Sequence, residues 1–164
     1  MTQALEIMNC AELDEAQLAK LRGLRVTQEQ AEFGGTFPDS LEAILSSVDG
    51  SVQGFCFLEK DEPIGIVVLR HAPATADWVP GDAVSLHGFK IDKNWQGKGY
   101  GRAAFRLAVE AAARSWPEAT QLVLAVDAEN TAALAVYRGY GMADSGPIYA
   151  GRIGKEHRLS KALR

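Results

Sequence analysis

The stretch that decides the fold is Ile91-Asp92-Lys93-Asn94-Trp95-Gln96-Gly97-Lys98-Gly99-Tyr100-Gly101-Arg102. Residues 83–92 lead into it as an apolar run that predicts a strand. Residues 99–116 follow it, are rich in alanine and predict a long helix, which ends before Pro117. The stretch is therefore a glycine-rich turn between a strand and a helix.

Three glycines at alternate positions, Gly97, Gly99 and Gly101, make this turn a candidate phosphate site. Glycine lets the backbone adopt positive φ and come close to a ligand. Successive N–H groups at a helix start also carry the positive end of the helix dipole. Lys98 and Arg102 add positive charge, so we predict a phosphate or pyrophosphate site, with a plain helix-starting turn as the alternative.

Neither of the two common phosphate motifs describes the turn. A P-loop needs GxxxxGK followed by Ser or Thr, and the sequence contains no such string. The dinucleotide fingerprint GxGxxG needs a third glycine where Arg102 stands. The glycine spacing therefore indicates a different phosphate-binding family.

The rest of the chain alternates strand patterns with helical ones. The predicted strands are residues 4–8, 52–59, 63–70, 83–92 and 121–126, with one or two more over residues 147–163. The predicted helices are residues 14–24, a short helix that Ser40 caps, residues 99–116 and residues 131–137. We expect a single α/β (α+β) domain over residues 1–164, with helices on both faces of a mixed sheet.

Composition narrows the class of protein. Seventeen Lys and Arg against 21 Asp and Glu give a net charge of −4, which disfavours a nucleic-acid binder and weakly favours a cationic ligand. Cys10 and Cys56 form no CxxC pair, so we expect neither a disulfide scaffold nor a metal site. Because no signal peptide or run of 18 apolar residues is visible, we expect a cytoplasmic protein that does not enter a membrane.

Two motifs resemble those of the GNAT superfamily of N-acetyltransferases. Gln96-Gly97-Lys98-Gly99-Tyr100-Gly101 matches its Q/R-x-x-G-x-G/A signature. Asn130-Thr131-Ala132-Ala133-Leu134-Ala135-Val136-Tyr137-Arg138-Gly139-Tyr140-Gly141-Met142 resembles N-x-x-A-x-x-L/F-Y-x-x-x-G-F, with Val136 and Met142 as conservative departures. The resemblance implies a mixed, mostly antiparallel sheet of six to seven strands, with a V-shaped opening between the fourth and fifth.

A closer resemblance is to bacterial spermine/spermidine (diamine) acetyltransferases. Gly88-Phe89-Lys90-Ile91-Asp92, followed by the glycine turn, is similar to their RFMID…QGKGYG stretch, from which Gly88 and Lys90 depart. This implies transfer of an acetyl group from acetyl-coenzyme A to a primary amine, with a polyamine as the first candidate. An aminoglycoside, an amino acid or a protein N-terminus are alternative acceptors, and a non-catalytic acyl-coenzyme A sensor is the alternative class. The superfamily also makes a homodimer an expectation to test.

The resemblance assigns the acetyl-coenzyme A site to named residues. It puts the pyrophosphate on the backbone of residues 96–101 and the pantetheine arm along the main chain of Phe89 and Ile91, like an added strand. Asn130 reaches the cofactor, caps the following helix, or does both. The predicted cofactor-binding residues are Phe89, Lys90, Ile91, Gln96, Gly97, Lys98, Gly99, Tyr100, Gly101, Arg102, Asn130 and Tyr137.

For catalysis we predict Tyr137 as the general acid that protonates the departing thiolate, with an aromatic packing role as the alternative. His87 is the first candidate for the base, because its ordinary pKa is suitable. The other base candidates are water, Asp92, Asp127, Glu129 and Glu32. We expect a backbone N–H near Lys90 or Ile91 to meet the oxyanion.

Two expectations concern orientation around the site. Strand alternation puts His87 and Phe89 on one face and Gly88 and Lys90 on the other, unless a bulge intervenes. Four aromatic residues either line an acceptor pocket or only pack in the core: Phe33, Phe37, Trp78 and Trp95.

Overall fold

The computed structural model describes residues 5–47, 49–150 and 155–164, which form one mixed sheet with helices on both faces. The strands are β1 (Leu5–Asn9), β2 (Val52–Glu59), β3 (Glu62–Arg70), β4 (Ala83–Ile91), β5 (Gln121–Asp127), β6 (Ala143–Ala150) and β7 (Lys155–Ala162). The helices are α1 (Glu15–Arg22), α2 (Gln28–Gly34), α3 (Phe37–Leu45), α4 (Tyr100–Ser115) and α5 (Thr131–Gly139), with 3-10 turns at Cys10–Glu12 and Lys93–Trp95.

The seven strands follow the order β1-β2-β3-β4-β5-β7-β6. Every neighbouring pair is antiparallel except β4 and β5, which run parallel. These two strands pair only from Ala83 to Ser85 on β4 and from Gln121 to Val123 on β5, and then diverge. The predicted mixed sheet and its V-shaped opening are confirmed.

Two apolar cores cover the two faces of the sheet. The larger lies under α4 and α5 and contains Phe57, Phe105 and Leu134. The smaller lies under α1 and α3 and contains Leu21, Phe37 and Leu41, among others. The opening between β4 and β5 therefore lies beside well-packed structure on both faces of the sheet.

Helix starts account for the main differences from the predicted elements. Thr36 caps α3, with its Oγ accepting the Asp39 N–H, so the prediction of Ser40 as the cap is wrong. Ser40 is buried inside the helix instead. Helix α2 was not predicted, although Thr27 and Gln30 carry the capping-box spacing that starts it.

Both ends of the sheet also differ from the predicted boundaries. The predicted first strand included residue 4, which lies outside the described residues, and β1 extends to Asn9. The predicted C-terminal strands are two: β6, which begins at Ala143 rather than at residue 147, and β7. Residues 151–154 of that prediction lie outside the described part of the chain.

A β-bulge in β4 overturns the predicted alternation. Ile66 on β3 pairs with Lys90 and Val68 pairs with His87, so two residues, Gly88 and Phe89, stand opposite one. Gly88 has a φ of +59°, which favours glycine.

The bulge changes the face on which the following side chains lie. Phe89 packs in the core under α4, whereas His87 bonds to Ser85 on the opposite face. Lys90 also lies on that opposite face, against α3. The prediction that His87 and Phe89 share a face, with Lys90 on the other, is therefore wrong because alternation holds only without the extra residue.

Candidate functional site

A cavity of about 1020 Å³ fills the opening between β4 and β5. Its walls come from the diverging halves of these strands, the glycine-rich turn, α2, α5 and the start of β7. This volume is at the upper end of the range for small-molecule sites. The cavity is therefore large enough for an extended ligand and a second molecule beside it.

Most of the predicted cofactor-binding residues meet at this cavity. Those that line it are Phe89, Lys90, Ile91, Gln96, Gly97, Gly99, Gly101, Arg102, Asn130 and Tyr137. Lys98 and Tyr100 do not line it: the Lys98 ammonium lies 5.4 Å from the centre of the Trp95 ring, and the Tyr100 ring packs 5.6 Å from that ring.

The glycine-rich turn presents backbone donors to the cavity. Gly97 and Gly99 have φ values of +77° and +88°, and Gly99 begins α4 without a side-chain cap. A Cβ atom on Gly97 would meet nothing within 4 Å, so glycine is required there by the backbone conformation rather than by space. The first N–H groups of α4 lack a capping side chain, which fits a phosphate ligand.

Helix α2 is tied to the end of β4 by side-chain hydrogen bonds. The amides of Gln30 and Gln96 bond each other reciprocally at 3.0 and 3.1 Å, and Gln96 also donates to the Ile91 carbonyl at 2.8 Å. The buried Asp92 carboxylate accepts the backbone N–H of Arg25 at 2.8 Å. These contacts hold the segment around α2 as one wall of the cavity.

The Asp92 carboxylate therefore has a structural role, because both of its oxygens accept backbone hydrogen bonds. Its second oxygen accepts the Asn94 N–H at 3.2 Å, and the residue does not line the cavity. Among the other base candidates, Asp127 lines the cavity, whereas Glu32 and Glu129 are exposed and do not. Asp127 is therefore the carboxylate from that set that a bound ligand could contact.

Tyr137 lies half-buried on α5 within an aromatic group at the cavity wall. Its ring centre is 6.3 Å from that of Phe89 and 5.9 Å from that of Phe105. Burial raises the pKa of the Tyr137 hydroxyl, and the neighbouring Tyr140 adds to the effect. The hydroxyl therefore stays protonated at neutral pH, as a proton donor must.

His87 also lines the cavity, from the face opposite Phe89. Its Nε2 lies 2.7 Å from the Ser85 hydroxyl. Burial, together with the smaller effect of the Arg70 charge, lowers the pKa of His87 to about 4. The imidazole is consequently neutral near pH 7 and is a weak base.

Asn130 is placed where both of its predicted roles are open to it, and the helix cap is confirmed. Its side-chain oxygen accepts the Ala133 N–H at 3.2 Å and so caps α5, while the residue also lines the cavity. Two of the four aromatic residues considered for the acceptor pocket, Phe33 and Trp78, line the cavity. Phe37 is fully buried in the core under α3, and Trp95 packs against Tyr100.

The sequence reasoning missed several residues of the cavity wall, of which Glu156 is the most informative. It stands directly opposite Asp127 across β5 and β7. Burial raises the pKa of Glu156, and the Asp127 charge adds to that rise. Glu29 of α2 is another missed acidic residue of the wall, and the capping box at Thr27 was the signal that could have located its helix.

Within residues 5–47, 49–150 and 155–164, no three His, Cys, Asp or Glu side chains cluster as metal ligands would. No helix in that part of the chain has the length and apolarity needed to cross a membrane.

Solved structures share this fold over nearly the whole chain. One is aminoglycoside acetyltransferase AAC(6')-Ib in complex with coenzyme A, with a TM-score of 0.76, 19% identity and coverage of 97% of this chain and 95% of that one. Another is spermidine N-acetyltransferase from Vibrio cholerae with coenzyme A and spermine, with a TM-score of 0.71, 18% identity and the same coverage. At these identities the likeness establishes the fold.

A third similar structure is an acetyltransferase from Bacillus subtilis in complex with coenzyme A, with a TM-score of 0.62, 16% identity and coverage of 98% of this chain and 100% of that one. No curated protein sequence matches the chain. The sequence profile described as the acetyltransferase (GNAT) family matches residues 18–142, which include both motifs and every part of the cavity wall except the start of β7. The chain therefore belongs to the acetyltransferase (GNAT) family.

Proposed function

We propose that the protein transfers the acetyl group of acetyl-coenzyme A to a primary amine of a small cationic molecule, with a polyamine as the first candidate. Enzymes of this family use acetyl-coenzyme A and no metal ion. The observation that carries the proposal is the β4–β5 cavity, which joins the uncapped N–H groups of the glycine-rich turn to Tyr137 and an acidic wall.

The residues around the opening fit such a donor. The N–H groups at the start of α4 would hold its pyrophosphate, and Arg102 would add charge beside them. The diverging edges of β4 and β5 leave backbone groups that are free to pair with an amide-containing arm. Asn130 and Tyr137 would contact the same molecule from α5.

The proposed reaction is direct attack. The amine nitrogen forms a bond to the thioester carbonyl carbon, the carbon–sulfur bond breaks, and the electron pair leaves on sulfur. The Tyr137 hydroxyl supplies the proton to that thiolate, and the proton that the attacking nitrogen loses as it becomes an amide returns to Tyr137 through solvent. A backbone N–H of β4 would stabilise the oxyanion before the carbon–sulfur bond breaks.

The ammonium form of the acceptor must first lose a proton. An alkyl ammonium with a pKa of about 10.4 costs roughly 4 to 5 kcal/mol to deprotonate at pH 7 if no base helps. His87 lines the cavity in the neutral form, but a pKa lowered to about 4 makes it a poor acceptor of this proton at pH 7. Water is therefore the proposed acceptor, at a wall where it can contact the His87 ring and the Asp127 carboxylate.

The cavity wall supports a cationic acceptor. Glu29, Asp127 and Glu156 supply carboxylates that attract cations, and Phe33 and Trp78 supply ring faces on which an ammonium group can lie. Spermine is present in one of the similar structures. An aminoglycoside is the second candidate, because the similar structure with the higher TM-score is named an aminoglycoside acetyltransferase.

A panel assay tests the proposal. Thiol release from acetyl-coenzyme A is followed with spermidine, spermine, putrescine, an aminoglycoside and a short peptide. We expect turnover with the polyamines. Failure of every amine, together with tight coenzyme A binding in calorimetry, would contradict the proposal and favour the sensing module.

Tyr137→Phe tests the general acid. We expect kcat to fall by about a hundredfold, within the range of general acid catalysis, while the Kd for coenzyme A changes less than threefold. Tyr140→Phe is the matched control, because that ring lies 6.1 Å from the Tyr137 ring and also borders the cavity. An unchanged kcat in Tyr137→Phe would remove Tyr137 from this role.

The cellular location and oligomeric state belong to the same proposal. Cys10 and Cys56 are both free and buried, which is compatible with a reducing compartment such as the cytoplasm. The expected homodimer is measured by sedimentation velocity, where a monomer at micromolar concentration would contradict it.

A further inference from the structure

Lys90 is a buried lysine whose side chain has no part in the reaction described so far. It is 7% exposed, and its ammonium donates to the Ser40 hydroxyl at 2.6 Å and to the Gly88 carbonyl at 2.8 Å. The ammonium also lies 5.7 Å from the centre of the Phe37 ring. The charge is therefore held in one place, between α3 and the bulge of β4.

The Lys90 ammonium thus contacts Gly88, the residue whose positive φ forms the bulge. A Cβ atom there would stand 2.6 Å from the Ser40 hydroxyl and 3.2 Å from the Lys90 ammonium. The Ser40 hydroxyl and the Lys90 ammonium therefore leave no room for a side chain at Gly88. The Gly88 carbonyl and the Phe89 N–H belong to one peptide group, so a contact that fixes the carbonyl also fixes the N–H.

Stability gives little reason for a lysine at this position. Taking an ammonium out of water is costly, and two hydrogen bonds to neutral oxygens repay that cost only in part. An unbranched apolar side chain such as methionine could fill the same space without burying a charge. A buried charge that stability does not favour points to a role in the reaction.

We propose that Lys90 is a positioning residue, whose ammonium holds the Gly88 carbonyl and so fixes the β4 bulge beside which the thioester is bound. The proposal rests on the proposed function, in that it takes the thioester to lie along β4. A cation at the carbonyl also polarises the peptide group and makes the Phe89 N–H a stronger hydrogen-bond donor. In this proposal the Phe89 N–H, next to the predicted position at Lys90 or Ile91, is the β4 donor to the oxyanion, so Lys90 acts through the backbone and not by contact with the substrate.

Lys90→Met is the test, with Lys20→Met as control, because the Lys20 side chain is 52% exposed and its partner Glu62 lies away from the cavity. We expect kcat for the best amine of the panel to fall tenfold to a hundredfold in Lys90→Met, as for a slightly misplaced site. The KM for the amine and the Kd for coenzyme A should change less than threefold. Ser40→Ala, which leaves the bond to Gly88, should lose less than threefold in kcat.

Unfolding by urea separates positioning from a structural role. The proposal expects Lys90→Met to fold with at least the stability of the wild type at pH 7. An unchanged kcat overturns the proposal. Failure of Lys90→Met to fold, with Lys20→Met folded, also overturns it, since Lys90 would then be required for the fold.

A binding measurement keeps this test apart from the test of the acetyltransferase reaction. The ratio of the Kd values for coenzyme A and acetyl-coenzyme A reports contacts with the acetyl group without any amine. We expect Lys90→Met to shift this ratio at least threefold against acetyl-coenzyme A. If the wild type acetylates no amine, the proposed function fails, while an unshifted ratio is what overturns the role of Lys90.

Discussion

Lys90 makes the stability of the fold depend on pH in the alkaline range. Burial lowers the pKa of its ammonium from the ordinary 10.5 to about 8, against the opposing attraction of the Asp39 charge. Between these two values the unfolded chain binds more protons at this position than the folded protein does. The contribution of Lys90 to stability therefore rises with pH through this interval.

The size of the effect follows from the two pKa values. At pH 7 the lysine is charged in both states, and the fold bears the full cost of burying the charge. At pH 9.5 it is mostly neutral in the fold and still mostly charged in the unfolded chain. The linkage relation then gives the wild type about 2 kcal/mol more stability at pH 9.5 than at pH 7, from this group alone.

Urea unfolding at several pH values, for the wild type and Lys90→Met in parallel, isolates this contribution. Subtracting the two curves removes the tyrosines, cysteines and other lysines that titrate in the same range. Lys90→Met should lose about 2 kcal/mol relative to the wild type between pH 7 and pH 9.5. Lys20→Met should follow the wild type, because Lys20 is exposed. A wild-type-minus-Lys90→Met difference constant to within about 0.5 kcal/mol would refute the reasoning.

Two further predictions concern buried or partly buried carboxylates. Asp92→Ala leaves two backbone N–H groups without their acceptor and should lower the free energy of unfolding by about 2 kcal/mol, measured by urea titration. The stability of Asp92→Asn should lie between those of the wild type and Asp92→Ala. Equal stability of the wild type and Asp92→Ala would count against the two contacts. Although burial alone would raise the pKa of Asp144, hydrogen bonds from Arg138 and His157 contribute to lowering it to about 2. The ionised Asp144 should therefore add about 1 kcal/mol to the free energy of unfolding, after screening by solvent. This contribution should be present above pH 4 and lost as the pH falls through 2. Unfolding of wild type and Asp144→Asn across pH 2 to 7 measures it, and a gap that does not close at low pH would contradict it.

The fold was predictable because its signals are local in the sequence. The glycine-rich turn, the alanine-rich helix after it and the unalternating run at β5 each identify an element and its neighbours. The residues that line the cavity from this part of the chain were largely predicted because its two motifs resemble those of the family. Gln96 and Asn130 stand at the ends of the strands that open, where backbone groups lose their partners.

What could not be predicted depends on long-range register. One extra residue at Gly88 reverses the faces of the residues after it, and a glycine inside the strand only hints at a bulge without fixing its register. Glu156 meets Asp127 only because β7 pairs with β5 in one particular alignment. Lys90 resembles a surface lysine in the sequence, and only the packing of α3 over the bulge shows that it is buried.

The position of β7 in the sheet has a consequence for the newly made chain. β7 follows every other strand in the sequence, yet it lies between β5 and β6 and pairs with β5 along seven residues, whereas β4 pairs with β5 along only three. Until residues 155–162 emerge from the ribosome, the apolar β5 keeps one whole edge open to pairing with other chains. The newly made chain is therefore prone to aggregation until β7 pairs with β5, and residues 155–162 contribute more to folding than their number suggests.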